Sequence, residues 1–234
     1  MQFCKEDSEK QVISIRDGLQ QEPASAILVW DVPVRVFHWM MVLSFVVAYV
    51  TAESEYWRLA HITAGYTMGG LVCFRLIWGL VGTHYARFSN FVKGPAVVTR
   101  YLCSLFSGQP EHHVGHNPAG ALSILGLLGL TLMTVTTGWF LYNSPEGSEW
   151  WEDIHEIIAN VMLSLIGLHI LGVVTGSRAH GENLTISMIT GFKRGQSTDG
   201  ISRPYLVLGI LLLLVVLGFW GYQWQFAPQP QPLD

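Results

Sequence analysis

Long apolar runs alternate with polar stretches along most of this chain. Five stand out: FHWMMVLSFVVAYVTA (37–52), LAHITAGYTMGGLVCFRLIWGLV (59–81), PAGALSILGLLGLTLMTVTTGWFLY (118–142), EDIHEIIANVMLSLIGLHILGVVTG (152–176) and PYLVLGILLLLVVLGFWGYQW (204–224). The last four match the roughly 20 residues that an α-helix needs to cross a bilayer. The first is short unless the preceding ILVWDVPVRV also lies at the interface. The pattern predicts an all-α integral membrane protein with five transmembrane helices, surrounded by membrane lipid. A further helical periodicity runs through PAVVTRYLCSLF (95–106), where Val97, Val98, Tyr101, Leu102, Leu105 and Phe106 fall on one face. It predicts a short amphipathic helix on the inner membrane surface. The tail's alternating Pro and Gln predicts extended chain.

Composition agrees. Half of the 234 residues are apolar and 13% are charged, which is too apolar for an ordinary soluble domain of this length. No internal repeat or soluble second domain is evident, and no nucleic-acid partner is expected. The net charge of −4 matters less than where the positive charges sit. Lysine and arginine in short loops mark the cytoplasmic side. Lys5, Lys10, Arg16 and Arg35 lie around the N-terminal segment, Arg87, Lys93 and Arg100 in the loop 82–117, and Arg178, Lys193, Arg194 and Arg203 in the loop 177–203. The first intervening loop has only Arg58, beside Glu53 and Glu55; NSPEGSEWWED and the C-terminal tail have no positive charge. The first 26 residues are polar and lack the apolar core of a secretory signal. The N-terminus is therefore expected in the cytoplasm and the C-terminus on the periplasmic side.

Candidate chemistry lies in the histidines. His155 and His169 bracket an apolar run and are 14 residues apart. At about 100° and 1.5 Å per residue they share a face within roughly 40°, about 21 Å apart along the axis. His38 opens the first span on the inner side and His61 opens the second on the outer side. Topology therefore pairs His38 with His169 and His61 with His155, two rings at each of two depths. Ionisable side chains within a membrane are costly and usually functional. Facing imidazoles suit the two axial positions of a haem iron, and filling both leaves no open position for substrate. Two stacked haems would carry electrons across the membrane. A single buried histidine is more often a helix–helix hydrogen-bond donor. A zinc or copper cage would want three or four clustered ligands.

Other residues fit around these pairs. Gly65, one turn after His61, would let a flat macrocycle approach the backbone; the competing reading is a small-residue packing face with Gly69. Arg35 precedes His38 by about one turn and is placed to meet haem propionates, or to snorkel as a positive-inside anchor. Arg58 bears the same relation to His61. Arg75 lies 14 residues after His61, at the inner depth, where a buried guanidinium wants an anion such as a propionate. The EHHVGH cluster, with His112, His113 and His116, reads mainly as a solvated loop, and His84 and His180 as interfacial. Cys4, Cys73 and Cys103 form no CxxC or CxxCH, which excludes covalent c-type haem attachment. Cys73 and Cys103 read as apolar packing residues.

VWDVPVRVFHW (29–39), HITAGYTMGGLVCFRLIWGLVGTHYARFSNFVKGP (61–95), GHNPAG (115–120) and GENLTISMITGFKR (181–194) resemble the bacterial cytochrome b561 / nickel-hydrogenase b-type cytochrome family. The resemblance runs from about 28 to 195. It implies a four-helix core holding two b haems, with His38, His61, His155 and His169 as axial ligands. The segment 1–27 would then be a polar cytoplasmic extension, 28–195 the di-haem domain, and 196–234 a fifth transmembrane helix with a short periplasmic tail. It also implies electron exchange in the bacterial inner membrane between the quinone pool and a redox partner, commonly a periplasmic c-type cytochrome. The acidic outer loop, with Glu146, Glu149, Glu152 and Asp153, offers a docking surface; Trp150 and Trp151 fit an interfacial belt. Alternatives are a superoxide:quinone oxidoreductase, which would need a cationic outer funnel, a membrane-anchor cytochrome b subunit of a hydrogenase-like dehydrogenase, and a histidine-lined metal transporter.

Overall fold

A computed structural model of the chain describes residues 25–106, 114–143 and 149–227. Strand β1 (Ser25–Leu28) leads into helices α1 (Val32–Val50) and α2 (Arg58–Val81). Two short helices, α3 (Phe88–Phe91) and α4 (Pro95–Phe106), precede α5 (Pro118–Asn143) and the long α6 (Glu149–His180). After α7 (Leu184–Thr190) and strand β2 (Phe192–Gly195), helix α8 (Leu206–Phe226) closes the described chain. Five of these, α1, α2, α5, α6 and α8, are long and apolar enough to cross a membrane. The fold is the predicted all-α membrane bundle, with one small strand pair added.

The helices begin and end for local reasons. Asp31 caps α1: its Oδ1 accepts from Val34 N at 2.8 Å, and Pro33 supplies a preset first turn. This start lies five residues before the apolar run at 37, so the first span is 19 residues and no longer short. Helix α6 has 32 residues, about 48 Å at 1.5 Å each, and so outruns a hydrocarbon core of about 30 Å. Glu149 and Glu152 in its first turn and Arg178 and His180 in its last complement its dipole. The amphipathic helix expected over 95–106 forms with those bounds as α4.

Packing makes α2 the central helix. Its buried stripe of Thr63, Ala64, Thr67, Met68, Leu71, Val72, Arg75 and Trp78 recurs every three to four residues. It packs against α1, α5 and α8, while α5 packs against α6, and α8 against α1. Among the described residues α1 and α6 do not pack along their lengths. Outward-facing apolar residues such as Leu168, Ile170 and Leu171 on α6 are exposed, as expected of surfaces that meet lipid. Cys73 and Cys103 are also exposed rather than packed, because Cys73 falls outside the buried stripe of α2.

One end of the bundle carries a cap. Strands β1 and β2 pair antiparallel, Ser25 opposite Gly195 and Leu28 opposite Phe192. Sequence reasoning missed this ribbon, since four-residue strands carry too little alternation to detect. Gly191 ends α7 in the left-handed region, at φ 91°, and its carbonyl accepts from both Val29 N and Trp30 N. Lys193, buried, donates from Nζ to the Val114 carbonyl at 2.9 Å and pairs with Glu182 at 3.4 Å. The cap thereby holds the 114–117 segment against the bundle.

Gly191 is the residue on which the cap turns. A Cβ there would lie 2.8 Å from the Trp30 carbonyl oxygen, on top of the unfavourable φ. Gly191→Ala is expected to cost about 1–3 kcal/mol, read as a lower midpoint when unfolding of the detergent-solubilised protein is followed by tryptophan fluorescence.

Candidate haem-binding site

At the end opposite the cap, α2 and α6 bring His61 and His155 together. Their ring centroids are 6.1 Å apart with planes at 69°. His61 Nδ1 lies 2.8 Å from the Ala48 carbonyl oxygen near the end of α1. A carbonyl only accepts, so Nδ1 carries the proton and Nε2 keeps the lone pair. His155 Nδ1 lies 3.1 Å from Thr137 Oγ1. That hydroxyl sends its own hydrogen to the Met133 or Thr134 carbonyl, 2.9 and 3.0 Å away, so it accepts from the ring. Both imidazoles are thus in the tautomer that offers Nε2 to a metal. An iron about 2 Å from each of two opposed ring nitrogens, the usual metal–imidazole distance, separates the ring centres by roughly 6 Å. The pair fits that spacing. Gly138 makes room for the ring: a Cβ there would sit 2.9 Å from His155 Cε1.

At the cap end, α1 and α6 supply His38 and His169. They interact electrostatically but make no ring contact, and His38 Nδ1 is buried without a hydrogen-bond partner among the described residues. A third histidine joins this end. His116, in the segment preceding α5, is wedged between Trp30 at 4.5 Å and Phe91 at 4.8 Å between ring centroids. Burial, followed by the charges of Arg75, Lys193, His169 and His38, pushes it from 6.5 down to about 3. It is therefore neutral at neutral pH. This corrects the expectation of a solvated loop for His116; His112 and His113 lie outside the described residues. The signal that would have found it is GHNPAG, which sets His116 two residues before the helix that opens at Pro118.

The arginines and glycines separate by role. Arg75 is only 3% exposed, lies over the Phe88 ring at 4.7 Å, and has one terminal nitrogen, Nη1, without a partner among the described residues. Arg35 donates from Nη2 to the Ile189 carbonyl of α7, while its Nε is buried and unpartnered among the described residues. Arg58 is exposed and pairs with Glu55 at 3.5 Å. Gly69 packs against α5, since a Cβ would lie 3.0 Å from Val135 Cγ1, whereas nothing lies within 4 Å of a Cβ on Gly65. The two glycines therefore serve different ends: Gly69 lets helices approach and Gly65 faces open space beside His61. His84 accepts at its carbonyl from Asn90 at 2.7 Å on the exposed surface.

One facing histidine pair, a second pair of histidines within electrostatic reach at the cap end, unpartnered buried nitrogens and a half-buried glycine facing open space fit a flat macrocycle. Among the described residues no group of three or more His, Cys, Asp or Glu is arranged to hold a bare metal ion.

Comparison with known proteins agrees with this architecture. The family model described as prokaryotic cytochrome b561 matches residues 29–191. A probable Ni/Fe-hydrogenase B-type cytochrome subunit of Azotobacter vinelandii is 31% identical over 172 residues, covering 60% of this chain and 70% of the relative. A probable Ni/Fe-hydrogenase 1 B-type cytochrome subunit of Escherichia coli K12 is 27% identical, covering 49% of this chain and 60% of the relative. One from Rhizobium leguminosarum bv. viciae is 24% identical but covers 71% and 88%. No solved structure matches. The match over most of the bundle, from the segment before α1 to the end of α7, makes this chain a member of the prokaryotic cytochrome b561 family, an integral membrane b-haem protein of electron transport.

Proposed function

We propose that the chain carries electrons across the bacterial inner membrane through two b haems, one held by His38 and His169 and one by His61 and His155, between the quinone pool and a periplasmic redox partner. The observation that carries this reading is the His61–His155 pair, facing at 6.1 Å with each Nδ1 engaged elsewhere. A bound haem supplies a one-electron couple between ferric and ferrous iron. The chain's residues do the rest. The Ala48 carbonyl and Thr137 hydroxyl fix ring orientation and raise ligand basicity. Arg75 and Arg35 offer buried nitrogens to propionates at the cap end, and Gly65 leaves space for the macrocycle at the other. The cap end, which holds the basic loops, faces the cytoplasm. Arg58 is left as the outer cation, though its partner is Glu55.

The partner is a c-type cytochrome or another redox protein. The names of the relatives favour a second form of the same reading, a membrane cytochrome b subunit of a hydrogenase-like dehydrogenase. A superoxide:quinone oxidoreductase is less well supported, because among the described residues of the outer loops the one arginine, Arg58, is tied to Glu55, and the other outer loop carries Glu149, Glu152 and Asp153.

Haem quantitation and reduced-minus-oxidised spectra test this directly. The wild type is expected to hold two b haems per chain, and His38→Ala and His61→Ala one each; a colourless wild type ends the reading. Gly65→Val is expected to reduce retention of the outer haem while leaving unfolding of the haem-free chain unchanged, and Gly70→Val, at an exposed glycine with equal room, to leave both haems in place. Thr137→Val removes the acceptor from His155 Nδ1. It is expected to weaken binding of the outer haem by roughly 10–100-fold and to raise its potential in a spectroelectrochemical titration, because a less basic imidazole stabilises ferric iron less.

A further inference from the structure

We infer that Asp31 is a positioning residue of the cap-end site: it clamps the two helices that carry His38 and Arg75, and its buried charge holds the potential of the inner haem down. This rests on the two-haem reading above. Asp31 is 1% exposed, and both its oxygens are used. Oδ1 takes Val34 N at 2.8 Å; Oδ2 takes Trp78 Nε1 at 3.0 Å and Thr83 Oγ1 at 2.6 Å. One carboxylate therefore joins the first turn of α1 to the last turn of α2 and to Thr83, two residues past its end. His38 lies two turns along α1 from this clamp, and Arg75 one turn back along α2 from Trp78.

The clamp is also an electrostatic element. Asp31 and Arg75 interact electrostatically, and Arg75, His169 and His38 all lie within electrostatic reach of the buried, neutral His116. Among groups excluded from water such fields are weakly screened. Taking up one electron makes the haem iron less positive by one unit. A fixed anion nearby stabilises the ferric form more than the ferrous, and so lowers the potential. Hydrogen bonds from Trp78 and Thr83 draw off part of that negative charge. Neutralising the carboxylate and stripping a donor from it therefore act in opposite directions.

Potentiometric titration of the haem-loaded, full-length protein separates this from a merely structural role. His61→Ala and His38→Ala identify which wave belongs to the inner and which to the outer haem. Asp31→Asn is expected to raise the inner potential and leave the outer one in place. Thr83→Val, which keeps the charge and removes one donor, is expected to lower the inner potential. If the wild type shows two waves and Asp31→Asn moves both alike, or neither, the role of Asp31 fails while the two-haem reading stands. Where Asp31→Asn does not retain haem, Thr83→Val decides alone, and an inner potential that is unchanged or raised overturns the inference.

Discussion

The whole arrangement depends on two helices kept apart. Helices α1 and α6 carry three of the four candidate ligands between them, and α1 and α6 do not pack along their lengths. The hydrogen bond that does cross between them, Tyr49 Oη to Asn160 Oδ1 at 3.5 Å, is long. In lipid a helix satisfies its own backbone and gains nothing by burying apolar side chains from tails that are equally apolar. Close approach must then come from small residues. They are placed where contact is wanted: Gly69 meets Val135 between α2 and α5, and Gly126 meets Leu165 between α5 and α6. Among the described residues no close glycine contact of this kind joins α6 to α1.

The two ends of the bundle are built differently. Away from the cap, each ring is oriented by a short-range acceptor, a helix-terminal carbonyl for His61 and a hydroxyl for His155. At the cap, His38 Nδ1 has no such acceptor among the described residues, and the surroundings are instead ionic: Arg75, Lys193 and Asp31 lie in or beside the same buried region. One pair of imidazoles is thus held by hydrogen bonds to its rings, and the other sits among buried charges.

Much of this was legible in the sequence because membrane constraints are written in long, redundant signals. Twenty apolar residues announce a span, and the interval between His155 and His169 fixes their common face and their separation. Positive-charge counting was enough to match His61 with His155, and the structure brings those two rings together. What escaped was short or non-local. The β1–β2 ribbon is four residues a side. The burial of His116 depends on rings of Trp30 and Phe91 that are distant in sequence. The split between Gly65 and Gly69 depends on which neighbour stands opposite, which spacing alone does not say. Asp31 drew no notice because a capping aspartate and a buried aspartate look alike until Trp78 and Thr83 fold against it.

Helix α8 lies outside the matched family region, yet it is not loosely appended. Trp220 Nε1 donates to Thr67 Oγ1 at 2.8 Å, and that hydroxyl already donates to the Thr63 carbonyl at 2.7 Å. Val32 N, at the start of α1, donates to the Pro204 carbonyl just before α8 at 2.9 Å. Tied to α2 through Trp220 and to α1 through Pro204, α8 leans on both helices at once. A pull on α8 is thereby shared between α1 and α2 rather than borne by either alone.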